Sequence, residues 1–131
     1  LFIRIHTPNT AMRAHCQVQV NASGGITVEL KKDATVNVAG TDITAYNRDL
    51  NSGNVTQMAD LEYDTTYTGE GTTVFSMHDG SSSPSVKLGA SLLSREEFIM
   101  KQNSEHILKI TPDADNTNVS VVIDWYEDDR V

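Results

Sequence analysis

Val119-Ser120-Val121-Val122-Ile123-Asp124-Trp125-Tyr126 reads as a β-strand, with Val119, Val121, Ile123 and Trp125 on one face and Ser120, Asp124 and Tyr126 on the other. Successive side chains of an extended chain point to opposite sides, so alternation with period two marks a strand that buries one face. The same pattern extends outward through the chain. Leu1, Ile3 and Ile5 alternate with Arg4 and His6, and Met12, Ala14, Cys16, Val18 and Val20 share a face across residues 12–20. Ile26, Val28 and Leu30 alternate with Thr27, Glu29 and Lys31, and Ser23-Gly24-Gly25 before them predicts a β-hairpin joining 12–20 to 26–31. Short strands are expected at Val36–Val38, around Met58, Leu61 and Tyr63, at Thr73–Met77 and at His106–Thr111.

Turns fall between these strands. Lys32-Asp33, Gly69-Glu70-Gly71 and Pro112–Asn116 supply turn chemistry, Asn47–Asn54 reads as a polar loop, and His78–Ser85 as an exposed loop or arm. Ser91–Lys101 offers a helix candidate through Ser94-Arg95-Glu96-Glu97, which resembles a capped start. The next strand follows at once, so the preferred reading is a strand over 96–101 after one helical turn. Roughly eight to ten short strands with one apolar face each predict an all-β fold, an antiparallel sandwich or barrel. The chain of 131 residues is read as one domain, 1–131, and that length buries about two-thirds of the unfolded surface. Trp125, Val121, Ile123, Val18, Val28 and Leu30 are expected in its core. The opening Leu1–His6 is not a charged segment followed by an apolar one, so no signal peptide is expected; the chain also lacks a starting Met.

Charge excludes some functions. Eighteen acids against ten Lys and Arg give a net charge of −8, unfavourable for nucleic acid or an anionic membrane. Asp113, Asp115, Asp124, Glu127, Asp128 and Asp129 gather near the C-terminus, as a solvated surface or a patch for a basic partner. The single cysteine, Cys16, makes no intrachain disulfide and reads as a buried thiol; His15 beside it faces the other way.

No catalytic constellation emerges. His6, His15, His78 and His106 lack the short spacings of a metal site. Asp113-Ala114-Asp115-Asn116 lacks the glycine and closing acid of a calcium loop and reads as a turn. No G-x-S-x-G or phosphate loop is present. Glu29 and Asp124 are strand acids expected to face solvent. Asn21, Asn54 and Asn118 fit a glycosylation pattern common by chance in so polar a chain. Trp125 is expected in the core, and Tyr126 is read as an interface or ligand-stacking residue. No metal or cofactor is expected, and no catalytic residue.

Two longer stretches carry a resemblance: Gly40-Thr41-Asp42-Ile43-Thr44-Ala45-Tyr46-Asn47-Arg48-Asp49-Leu50-Asn51-Ser52, and Glu97 to Thr111 closed by Asp124-Trp125-Tyr126-Glu127. With Phe2–Pro8 and His15, they resemble a family of small virion proteins of tailed bacteriophages similar to head decoration, or cement, proteins. Phe98 stands where that pattern more often has Trp, and Asp128 where it has His. The resemblance implies a jelly-roll-like β-sandwich without enzymatic activity, bound to the major capsid protein on the outside of the capsid, as a homotrimer. The Asn47–Asn54 loop and the Gly80–Ser85 segment would be its arms. The alternative is a carbohydrate- or host-binding module of a phage head or tail fibre.

Overall fold

The computed structural model describes residues 1–56, 58, 60–80, 90–93 and 97–129, the side chains of 90–93 excepted. These residues form twelve strands and no helix: β1 (Phe2–Thr7), β2 (Arg13–Ala22), β3 (Ile26–Lys32), β4 (Thr35–Val38), β5 (Thr41–Asp42), β6 (Asp60–Tyr63), β7 (Thr66–Gly69), β8 (Thr72–Asp79), β9 (Ala90–Leu93), β10 (Phe98–Ile99), β11 (Ser104–Pro112) and β12 (Val119–Asp128). The larger sheet has the order β5-β6-β1-β11-β3-β8. In the smaller sheet β2 pairs with β12 along one edge and with β9 and β10 along the other. All pairings are antiparallel, and the molecule is an antiparallel β-sandwich.

The core lies between the sheets. Ile3, Ile5, Val28, Leu30, Leu108 and Ile110 face inward from the larger sheet, and Ala14, Cys16, Val18 and Val20 from β2. Val18, Val28 and Leu30 are buried as expected. Val121, Ile123 and Trp125 pack against the core but stay partly exposed, which corrects the expectation of full burial. They belong to β12, which among the described residues is the outermost strand of its sheet.

The expected hairpin is absent. β2 and β3 stand in different sheets, and Ser23–Gly25 carries the chain from one to the other. The return from β11 to β12 crosses beside it. Ser23 N–H donates to Asn118 O at 2.9 Å, Asn118 N–H to Ser23 Oγ at 2.9 Å, and Asp113 N–H to Gly25 O at 2.9 Å. The two crossings satisfy each other's backbone groups, as buried or bridging segments must. Period-two patterning assigns faces, not neighbours, so it could not separate a hairpin from this arch.

β3 pairs instead with β8, from Ile26 opposite Asp79 to Lys32 opposite Thr72. The chain between them leaves as a long bent ribbon. β4 pairs with β7, and β5 with β6, which then joins the larger sheet beside β1. Gly71, at φ +76°, closes the base of the ribbon; a Cβ there would lie 2.1 Å from Lys32 O.

The ribbon gives the larger sheet a second buried face. Arg4, Ile107 and Lys31 are in register and point away from the core, yet Ile107 is 0 % exposed. Tyr67 of β7 packs on Phe2 with ring centroids 5.6 Å apart, and the Lys109 amine sits 5.3 Å from the Phe2 ring centre. Arg4 donates from Nε and Nη2 to Glu105 at 2.8 and 2.7 Å, and from Nη1 to Glu62 at 2.7 Å; Asp60 lies 3.2 Å from Nη2. The second Glu62 oxygen accepts from Gly40 N–H and the Thr65 hydroxyl, each at 2.8 Å. A Cβ on Gly40 would meet Tyr63 O at 2.0 Å, so only glycine lets the ribbon fold this closely.

Two readings near the C-terminal half change. Ala90–Leu93, which overlaps the start of the helix candidate, is a strand, and the strand expected over 96–101 contracts to Phe98–Ile99. The helical turn placed before residue 96 and the segment Ser81–Ser85 lie outside the described residues.

Burial alone would raise the Glu62 carboxyl, but the hydrogen bonds from Gly40 and Thr65 and the Arg4 charge outweigh it and hold the group below its ordinary value. Hydrogen bonds from Lys109 hold Glu70 down in the same way. A carboxyl depressed on folding adds stability that is complete above its unfolded value, about 4 to 4.5, and is lost as pH falls through the folded one. Urea unfolding should therefore show a carboxylate-linked decline below about pH 4, on top of a loss that begins below about pH 6.5, where buried His106 resists the proton that the unfolded chain takes up. Glu62→Ala should cost about 3 kcal/mol at neutral pH and flatten part of the acid decline. An acid decline identical to that of the unsubstituted protein would show that this cluster does not carry it.

Candidate functional site

The ribbon's far end is a loop of residues 43–56, the segment in which the polar Asn47–Asn54 stretch falls. Side chains turn its backbone back on itself. Asn47 Oδ1 accepts from Asp49 N–H at 2.9 Å, Asp49 Oδ1 from Asn51 N–H at 3.1 Å, and Ser52 Oγ from Asn54 N–H at 3.1 Å. Ser52 N–H also donates to Asp49 O at 3.0 Å. Asn and Ser favour such local turns because their short side chains reach the backbone two residues on.

The loop leans from the larger sheet towards β12. Ile43 N–H donates to Leu61 O at 2.7 Å at its base. Arg48 Nη2 meets Asp124 at 2.7 Å, Thr56 Oγ1 donates to Glu127 at 2.6 Å, and Trp125 Nε1–H donates to Thr56 Oγ1 at 3.3 Å. Held this way, the loop presents Tyr46, Leu50 and Val55 at 85, 90 and 80 % exposure. Three large apolar side chains so exposed on a loop fixed by its own hydrogen bonds offer a candidate contact surface. Beneath the loop lies a cleft of about 1270 Å³, walled by Asp42, Ile43, Asp60 and Leu61 on one side and Ile123–Glu127 on the other.

A second cluster sits on the outer face of the smaller sheet. His15 Nδ1 is 2.5 Å from Glu97 Oε1, and its ring stacks on Tyr126 with centroids 4.5 Å apart. The Tyr126 hydroxyl donates to both Glu97 oxygens at 3.0 and 3.1 Å. The His15 hydrogen bond holds the Glu97 carboxyl below its ordinary value, while partial burial and then the Glu97 carboxylate push the Tyr126 phenol up. His15 and Tyr126 also line the cleft.

The residues weighed from sequence are dispersed. His6 Nδ1 contacts Asp60 at 2.8 Å and His78 Nε2 contacts Asp113 at 2.8 Å. His106 is buried among apolar neighbours, which disfavours its charged form. Among the described residues no group of His, Cys, Asp or Glu is arranged to hold a metal. Asp113–Asn116 is a bend and turn, with Asn116 at φ 62°. Glu29 and Asp124 do lie on outer faces, but each meets a base: Lys31 at 3.4 Å and Arg48 at 2.7 Å. Tyr126 is exposed.

Two features escaped the sequence reading. Glu97 lies far from His15 in the chain, and no local spacing links them. Tyr46, Leu50 and Val55 interrupt a run of turn-forming polar residues, and that interruption was the available signal.

Cys16 is buried on the face opposite His15, and burial pushes its thiol up to about 12. The thiolate is the reactive form, so a thiol reagent such as a disulfide dye at pH 8 should label the chain only at the rate of unfolding. Rapid stoichiometric labelling of the native protein would contradict that placement. No family model, curated protein or solved structure matches this chain.

Proposed function

We propose that this chain is a non-enzymatic structural virion protein, a decoration protein that binds the major capsid protein on the outside of a tailed-phage head and stabilises the shell, as a homotrimer. The observation that carries this reading is the loop of residues 43–56, with Tyr46, Leu50 and Val55 almost wholly exposed on a backbone fixed by its own turns. A pre-ordered apolar knob loses little conformational freedom on docking, which favours binding to a fixed lattice. A component that binds only the assembled shell stabilises it by mass action, with no turnover required. The net charge of −8 favours a basic receiving face.

One observation favours a second reading, a host-glycan module of a head or tail fibre. Tyr46, Trp125 and Tyr126 all line the cleft, and aromatic rings are the usual stacking surface for sugars.

The test adds the purified chain to shells that lack it and measures occupancy and rupture temperature. Saturable binding with a higher rupture temperature is expected, weakening as salt rises from about 0.1 to 1 M, where screening shortens from roughly 10 to 3 Å. Replacing Tyr46, Leu50 and Val55 together by Ser should abolish occupancy while changing unfolding stability by less than about 0.5 kcal/mol per site, as for exposed positions generally. Saturable binding to glycans with none to shells would favour the second reading. Binding to shells by the triple variant at full strength would remove the loop from the interface.

A further inference from the structure

Five consecutive residues of β12, Ile123 to Glu127, line the cleft. Consecutive strand residues alternate between faces, so a cavity that touches all five runs along the strand's edge. Among the described residues, β12 pairs as a strand with β2 alone, and no backbone hydrogen bond from outside the sheet reaches residues 121–126. Among the described residues that stretch is an open sheet edge, a template for another extended chain.

The size and charge of the cleft narrow the occupant. Its volume of about 1270 Å³ exceeds the range of about 300–1,000 Å³ usual for one small ligand. Its ionisable lining is Asp42, Asp60, Asp124 and Glu127 against Arg48 and His15. Arg48 is already engaged by Asp124, and Asp60 shares His6 and Arg4. The walls are therefore net acidic between apolar surfaces from Ile43, Leu61, Ile123 and Trp125.

We propose that the cleft is a strand-accepting groove, in which an extended basic segment of a partner polypeptide lies beside the loop 43–56 and adds to the outer edge of β12. Main-chain hydrogen bonds supply affinity in such an addition, and alternate side chains supply specificity. Side chains on one face of the added strand meet Ile123 and Trp125, and those on the other meet Asp124 and Tyr126, so the segment alternates apolar and basic residues. This deepens the reading of the chain as one that docks on another protein, and it rests on that reading for its partner.

The probe is a labelled peptide of roughly ten residues alternating Val and Lys, long enough at about 3.3 Å per residue to run the length of β12. Its Val/Glu counterpart and a form N-methylated on alternate amides serve as comparisons. The Val/Lys peptide should bind saturably, at least about tenfold more tightly than either comparison, and should slow amide exchange within Val121–Tyr126. Asp124→Asn, which also frees Arg48, should weaken it severalfold, whereas Arg48→Gln, which breaks the same ion pair but keeps the acid, should not. No saturable binding, equal affinity for the N-methylated form, or protection confined to other strands would overturn the groove. Equal protection of Val121–Tyr126 by an oligosaccharide would also overturn it, in favour of a sugar site. The same exchange measurement on shell-bound protein separates the two proposals. Shell binding with protection confined to residues 43–56 rejects the groove and keeps the docking loop. Protection by the peptide without any binding to shells keeps the groove and rejects the capsid as partner.

Discussion

Arg4 is the charge around which the outer half of the molecule is arranged. It is buried on the face of β1 that points away from the core, where an unmatched guanidinium would be untenable. Glu105 from β11 and Asp60 and Glu62 from β6 converge on it, and the hydrogen bonds to Glu105 do most to keep it charged. Glu62 then has a second oxygen to satisfy, and Gly40 and Thr65 satisfy it. Those two residues are the corners at which β4 gives way to β5 and β6 to β7. A buried ion pair adds little or no net stability compared with a well-packed apolar substitute. Its effect here is positional: it fixes where the ribbon bends, and so where the loop at its end comes to lie.

Strand existence was legible from alternation alone, because burial on one face leaves a period-two trace in the sequence. Strand partnership was not. Ser23-Gly24-Gly25 suits a hairpin and an inter-sheet crossing equally, and the choice is made by Asn118 and Asp113, far along the chain. Ile107 shows the same limit. It lies on the polar face of its strand by pattern, yet it is wholly buried because a ribbon from residues 35–69 covers that face. Trp125 errs in the opposite direction: its face was read correctly, but the edge position of β12 leaves it partly open.

The candidate site was less legible, for a related reason. Asn47–Asn54 was readable as a loop from its turn chemistry, and the structure shows those same side chains closing its turns. What the loop displays depends on what is absent around it. Tyr46, Leu50 and Val55 are apolar by type, and only the tertiary fold decides whether apolar residues are covered. The His15–Glu97–Tyr126 cluster joins three strand regions, and its members acquire a relationship only when β10 and β12 flank β2. Sites assembled across a sheet leave no local spacing to read.

The net charge takes on a different meaning once its placement is known. Arg4, Lys31 and Lys109 are held by carboxylates on the outer face of the larger sheet, and Lys101 is held by Asp33 at 2.5 Å. These bases stitch strands together and contribute little field elsewhere. Four carboxylates line the cleft against Arg48 and His15, with Asp60 also meeting Arg4 and His6. An overall excess of acid therefore becomes a local one, placed where an open strand edge and an apolar loop already lie. Charge of this kind steers a basic partner and suppresses acidic ones more than it adds affinity. The backbone edge would supply the affinity and the acids the choice of partner, and both sit where the Arg4 cluster sends the ribbon.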